Sequence, residues 1–270
     1  MKLFNRKRQV SMAEKTLTIF KSNIKLLQGD CISLLDTLDE NSVDLIAVDL
    51  PYGTTQNKWD IIIPFEPMWC CVKRVLKSDG VMVCTAAQPF TSQLILSNTD
   101  WFKYDLVWEK TIGSGQLNIN RQPLRVHESI VVFYDKFGTY NEQKTEGKPY
   151  HIDRKTGGFE GNYGKQRDHT KVNDGFRHAR SVIKISNPRI KNCHKTEKPI
   201  ELMEYIIKAY SNESDTVLDF TMGRGTTGIA CINLKRNFIG IELSKVWYNR
   251  AVERFEDYIN KYSFISSLIS

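Results

Sequence analysis

Residues 215–243 read DTVLDFTMGRGTTGIACINLKRNFIGIEL. A short apolar run ends in Asp219, glycines follow at 223 and 225, an apolar helical stretch comes next, and a second apolar run ends in Glu242. Strand, tight turn, helix and strand within about thirty residues form the unit from which open α/β sheets are built. In such sheets the ligand edge lies at the carboxyl ends of the strands, where Asp219 and Glu242 fall. Gly223 and Gly225 allow a tight turn and close approach of the backbone to a ligand. The helix starting near Thr226 offers free backbone N–H groups to an anionic group, and Glu242 is placed to bond a ribose diol. Read as two glycines without the third of G-x-G-x-x-G at the expected spacing, the turn is weak evidence by itself. A purely structural turn or a dinucleotide dehydrogenase would also account for it.

The same alternation runs through the first half of the chain. Apolar β-rich runs at 23–30, 42–50, 80–86, 104–110 and 129–135 are separated by helical spacers, which implies a parallel sheet covered on both faces. Asp30 follows the first run, either as the N-cap of the helix from residue 31 or as a carboxylate on the ligand edge, or both. The second run ends in Asp49-Leu50-Pro51-Tyr52, so a carboxylate, a rigid proline and an aromatic ring share that edge. One chemistry needs this set. The exocyclic amine of a nucleobase is a poor nucleophile, because its lone pair is delocalised into the ring. An aspartate and a backbone carbonyl accepting its two N–H bonds draw the nitrogen towards tetrahedral geometry and free the lone pair. Proline holds the carbonyl, its φ being fixed, and tyrosine stacks on the extruded base. As a bare tetrapeptide the motif is equally a β-turn.

With LLQGDC (26–31), DLPYG (49–53) and DFTMGRGTTG (219–228) together, the chain resembles the DNA amino-methyltransferases that use S-adenosylmethionine, most closely the permuted β-type group. The resemblance spans roughly 23–258. It implies a doubly wound, mostly parallel seven-stranded sheet with an antiparallel edge strand at 129–135 and an inserted recognition region. It assigns catalysis to Asp49, Pro51 and Tyr52. The methionine end of the cofactor falls to Asp219, Phe220, Gly223, Gly225, Thr226 and Thr227. Glu242 becomes the ribose-binding acid, Asp30 and Cys31 border the adenine, and Asp49 also borders the cofactor. Thr196 and Lys198 of HKTEKP would face the cofactor carboxylate. Leu50, Lys195, Glu197 and Arg224 depart from the family pattern, and Arg224 would either pair with the cofactor carboxylate or crowd it. An aspartate heading the catalytic motif points to adenine N6 over cytosine N4.

Charge agrees with a nucleic-acid partner. Residues 136–195 hold 14 Lys and Arg against 6 Asp and Glu, while the rest of the chain holds 24 against 25. The net +7 therefore lies in one segment, as a phosphate-binding surface requires. A solvated basic loop would give the same balance. That segment is rich in Gly, His and aromatics without clear periodicity, and its Tyr140, Tyr150, Phe159, Tyr163 and Phe176 favour an ordered module over a disordered one. Four stretches are expected: an extension (1–22), a catalytic half (23–135), a target-recognition insert (136–193) and a cofactor half (194–270). The loop TTQNKWD (54–60) is a candidate lid over the extruded base, with Asn57, Lys58 and Trp59 near it; Trp59 would equally serve as a core anchor. Arg121 and Arg125 are candidate DNA-backbone contacts.

The six cysteines form no C-x-x-C pair and the histidines no ligand spacing, so no metal is expected. Free thiols, no secretory signal and no apolar run of membrane length fit a cytoplasmic protein. The resemblance adds double-stranded DNA as partner, a cognate restriction endonuclease and pairing as a homodimer.

Overall fold

The computed structural model describes residues 13–19, 22–57, 59–155, 160–162, 164–165, 168–187 and 197–269. Two compact units emerge, one of 1–141 with 181–270, the other of 142–180.

In the first unit the chain begins with strands β1 (Ala13–Ile19) and β2 (Ser22–Gln28), helix α1 (Cys31–Leu35), β3 (Val43–Asp49), α2 (Phe65–Val75), β4 (Leu76–Ala86), α3 (Phe90–Leu96), β5 (Phe102–Ser114) and β6 (Arg125–Phe133). The second unit contributes six short strands: β7 (Thr145–Glu146), β8 (Tyr150–Arg154), β9 (Glu160–Gly161), β10 (Gly164–Lys165), β11 (His169–Asn173) and β12 (Phe176–Arg177). The first unit resumes with β13 (Val182–Lys184), α4 (Ile200–Tyr210), β14 (Thr216–Asp219), α5 (Thr226–Asn233), β15 (Asn237–Glu242) and α6 (Lys245–Ile269).

The sheet has nine strands, ordered β1-β2-β15-β14-β3-β4-β6-β5-β13, where seven were expected. The two additions flank a seven-stranded centre. β1, from the stretch read as an extension, pairs antiparallel with β2 over its whole length. β13, from the stretch read as insert, pairs parallel with β5. An antiparallel strand does stand at an edge, but it is β1. The strand expected there, β6, lies between β4 and β5, antiparallel to both. Covering each edge of the centre satisfies backbone groups that would otherwise template aggregation.

Period-two alternation splits the apolar side chains between two cores. Leu45 and Ala47 of β3 face a core closed by α4, α5 and α6, with Ile206, Ile229 and Phe255 fully buried. Ile46 and Val48 face the other, closed by α1, α2 and α3 through Leu35, Val72 and Phe90. Being buried on both faces, the central strands read as continuous apolar runs. With both faces occupied, polar groups of the central strands can reach solvent only at the strand ends, which is where the candidate site lies.

The second unit is a series of nested antiparallel pairings: β7 with β12, β8 with β11, β9 with β10. Arg177 stacks 4.6 Å from the Tyr150 ring centroid. Phe159 and Tyr163 lie outside the described residues. No helix among the described residues is long and apolar enough to cross a membrane.

Candidate active site

Four strands deliver their last residues to one edge. β3 ends at Asp49, β14 at Asp219 and β15 at Glu242, while β2 leads through Gly29 to Asp30. Parallel registers align them, with Asp49 opposite Thr85 and Asp219 opposite Gly240.

Asp49 sits at the end of a charged chain. Its Oδ1 accepts from Thr85 Oγ1 at 2.5 Å and from the Tyr52 hydroxyl at 2.8 Å. Its Oδ2 accepts from Lys198 Nζ at 2.8 Å. The Lys198 ammonium also stands 3.2 Å from Glu128 Oε2, and Glu128 Oε1 pairs with Lys110 Nζ at 2.9 Å. Ammonium and carboxylate thus alternate from Lys110 through Glu128 and Lys198 to Asp49, the most exposed of the four. Burial would raise the Glu128 carboxyl, but Lys198 and Lys110 outweigh it and hold that carboxyl below its ordinary range. Burial would lower Lys198, but Asp49 and Glu128 outweigh it and raise the ammonium above its usual value. Burial, then the neighbouring Asp49, push the Tyr52 phenol up, so it is a neutral donor. A carboxylate has about four acceptor positions. Three bonds reach Asp49 here, which leaves room for one more donor at Oδ2.

The Tyr52 ring stacks on Phe90, with centroids 5.3 Å apart and planes 24° apart. The Leu50 side chain is buried in the core with Phe90 and Trp69, so its departure from the family pattern does not reach the site. The Asp49 carbonyl accepts from Thr221 Oγ1 at 3.0 Å, tying the end of β3 to the glycine turn.

The loop after Tyr52 is held by a residue that the sequence reading passed over. Asp60, buried, accepts from the backbone N–H groups of Gly53, Thr54 and Thr55 at 2.8, 2.9 and 2.7 Å. Trp59 is 44% exposed, so the anchor of this loop is Asp60. Asn57 is exposed and bonds Thr55 Oγ1 at 2.9 Å, and Lys58 lies outside the described residues.

In the glycine turn, the acids do structural work. Asp219 is buried and accepts from Thr227 Oγ1 at 2.6 Å and Thr221 N–H at 3.0 Å. Glu242 accepts from Gly223 N–H at 3.0 Å and Ser244 N–H at 2.7 Å. Burial pushes Asp219 up to about 7 and raises Glu242. Neither forms an ion pair with another described residue. Two poorly compensated carboxylates suit a cationic ligand. Gly223 (φ +53°) faces open space, with nothing within 4 Å of where a Cβ would stand. Gly225 (φ +77°) lies against the Phe255 ring. Gly228, at the third position of G-x-G-x-x-G, completes a fingerprint that the two-glycine reading missed. A Cβ there would collide with Phe255 and Phe238, so it permits close helix–sheet packing.

Other assigned residues fall as follows. Phe220 is buried in the core and offers the turn only its backbone. Asp30 caps α1, its Oδ1 accepting from Ser33 N–H and Oγ at 2.9 Å each. Burial pushes the neighbouring Cys31 thiol up to about 11, leaving it a neutral wall. Thr226 donates to Glu197 at 2.6 Å. Two departures from the family pattern are one contact: Glu197 pairs with Arg224 at 3.5 Å as well as with Arg254 at 2.6 Å. Thr196 lies outside the described residues, and Lys198 is drawn to Asp49 and Glu128. Arg121 is exposed on the β5–β6 connection and Arg125 at the start of β6. Among the described residues, no cluster of three or more His, Cys, Asp or Glu could hold a metal. Lys110 and Glu128 were missed because only the β5–β6 register, with Trp108 opposite Glu128, brings them together.

Comparisons with known proteins agree with this geometry. Residues 43–253 match a family model described as DNA methylase, of the N6/N4 group. The chain is 29% identical over 248 residues to the Type II methyltransferase M1.MboII of Moraxella bovis, covering 84% of this chain and 94% of that one. It is 30% identical over 257 residues to the Type II methyltransferase M.HpaI of Haemophilus parainfluenzae, covering 89% and 77%. Among solved structures, the M1.HpyAVI–SAM complex superposes with a TM-score of 0.59 at 25% identity, over 86% of this chain and 99% of that one. The cytosine-N4-specific PvuII DNA methyltransferase shares the fold, with a TM-score of 0.62 at 16% identity over 87% and 86%. Strand-end acids, a glycine turn open to a ligand and a matched model over most of the length lead to one conclusion: the chain belongs to the N6/N4 DNA methylase family.

Proposed function

We propose that this protein methylates the N6 amine of an adenine extruded from double-stranded DNA, with S-adenosylmethionine as donor. The observation that carries the reading is the Asp49 carboxylate, held by three hydrogen bonds with one acceptor position to spare, beside Tyr52 at a sheet edge. When bound, the donor supplies an electrophilic sulfonium methyl group, which passes to the amine nitrogen as one amine proton is released. Gly223, Gly225 and the start of α5 would hold its methionine end, Glu242 its ribose, and Asp30 with Cys31 its adenine.

Asp49 accepts an amine N–H at Oδ2, and a backbone carbonyl of the Leu50–Pro51 step accepts the other. Tyr52, backed by Phe90, offers a flat apolar face to the base. Thr85 and Lys198 fix Asp49, so little reorganisation is needed as charge develops on the amine. The basic second unit would read the target sequence. The Type II relatives suggest a companion endonuclease for the same site. The same acceptor geometry suits cytosine N4. Asp49, where relatives acting on cytosine mostly carry serine, favours adenine.

The test is digestion to nucleosides and mass spectrometry of duplex DNA incubated with protein and donor, beside Asp49→Ala. N6-methyladenine absent from the control supports the proposal. N4-methylcytosine keeps the mechanism and overturns the base; no modified nucleoside overturns the activity.

A further inference from the structure

Between β5 and β6 the chain makes a connection ordered by its own hydrogen bonds. Gly115, at φ +95°, opens a short 3₁₀ turn over Gln116–Asn118. The Asn118 N–H donates to the Gly115 carbonyl at 2.9 Å. The Asn118 carbonyl accepts from Arg121 at 2.9 Å and Gln122 at 3.0 Å. Gln116 Nε2 donates to the Gly113 carbonyl at 2.7 Å. On this ordered tip Leu117 is 100% exposed and Ile119 is 61% exposed, with Ile112, Leu124 and Val126 also in solvent. Aliphatic side chains presented together on a polar tip mark a contact surface.

Register places the tip on the same side as Asp49. Trp108 is opposite Glu128, which belongs to the Asp49 network, and Ser114 is opposite Arg125 three residues further out. The connection therefore continues past the catalytic edge, with Arg125 roughly 10 Å beyond Glu128 at the rise of a strand. From 111 to 127 the chain carries Arg121 and Arg125, four amide side chains at Gln116, Asn118, Asn120 and Gln122, and no Asp or Glu. That charge fits a polyanion. Two copies of the tip face to face would set arginine against arginine.

We propose that this tip is a wedge for the DNA base stack: Leu117 and Ile119 enter beside the target base pair while Arg121 and Arg125 hold the flanking phosphates. The inference rests on the methyltransferase reading of the site. Extruding a base leaves an unstacked gap, and aliphatic side chains are the groups that proteins insert at such steps. The wedge stabilises the opened duplex, so its contribution vanishes when the target base is already unpaired.

The experiment measures single-turnover methylation by the full-length protein and L117A/I119A. The substrates are two duplexes carrying the site mapped with the wild type. One has a normal target pair, and in the other the target base faces an abasic position. The double variant is expected to be slower on the normal duplex, on the order of tenfold or more. On the abasic duplex it should come within about threefold of wild type, since the opening cost is already removed. R121A/R125A should weaken binding to both duplexes and reduce the salt dependence. Equal loss on both duplexes, or no loss on either, overturns the wedge. Unchanged methylation with a shift in sedimentation shows a self-association surface and overturns it too. A wild-type protein that modifies no DNA overturns the reading of the whole site, and the wedge with it.

Discussion

Lys198 Nζ lies 2.8 Å from Asp49 Oδ2, joining residues 149 positions apart in the chain. The cation fixes the carboxylate proposed to receive the amine, and Glu128 shares that cation at 3.2 Å. Lys198→Met should therefore lower kcat on the order of a hundredfold, the scale of losing one preorganised charged contact. DNA binding by anisotropy should be unchanged. Calorimetric titration with the donor decides the alternative: lost cofactor affinity at unchanged kcat would assign Lys198 to the cofactor.

Glu128→Gln leaves Lys110 and Lys198 around a neutral amide in a buried setting, where an uncompensated charge costs about 3 kcal/mol or more. Lys110→Met leaves Glu128 paired with Lys198 and should cost less, about 1–3 kcal/mol. The double variant removes one charge of each sign and should be more stable than Glu128→Gln alone. Urea melts of the three variants measure the coupling.

Asp219 titrates near 7 in the folded protein against about 4 unfolded, because burial disfavours its anion. The folded state binds that proton more tightly. Its stabilising effect is therefore fully present below the unfolded value and is lost as pH rises from about 4 to about 7, by up to about 4 kcal/mol. Glu242, also raised, acts with the same sign. Glu128, Glu197 and Asp60, all lowered, lose their contribution only as pH falls below about 4. Melting temperature of the ligand-free protein should fall across that window, and Asp219→Asn should flatten the fall.

Gly223→Ala and Gly225→Ala should separate stability from binding. At Gly223 only the left-handed backbone opposes a methyl group, a cost of about 1 kcal/mol. The methyl would occupy the space proposed for the cofactor, so affinity should fall while the melt barely moves. At Gly225 the methyl meets the Phe255 ring, and thermal stability should fall several-fold further.

Glu197 and Arg224 should behave as one substitution. Arg224→Ser removes one of two arginines on Glu197, and Glu197→Gln removes the anion both need. In a double-mutant cycle followed by melts, the pair should be non-additive by about 0.5 kcal/mol or more. Additive costs would mean that the contact contributes nothing.

The strand ends, the glycine turn and the acids at 49, 219 and 242 were legible in the chain because they are local. Apolar runs mark buried strands, and whatever polar residue ends such a run must lie at the sheet's edge. Strand count was less legible. The run 13–19 alternates around lysine and glutamate, and Val182–Lys184 is three residues long, so neither stands out until β2 and β5 pair with them. Gly228 was in plain sight, yet only the rings of Phe238 and Phe255 show why a side chain cannot stand there.

The sequence by itself thus determined the fold class, the family and the strand-end place of the carboxylate proposed to carry the chemistry. Tertiary structure decided what surrounds that carboxylate. Lys110, Glu128 and Lys198 come from two strands and a loop far apart in the chain, and their charges act on Asp49 through distances that only the register of the sheet brings within reach. Coulomb energy depends on separation and burial, neither of which is written in the spacing of residues along a chain.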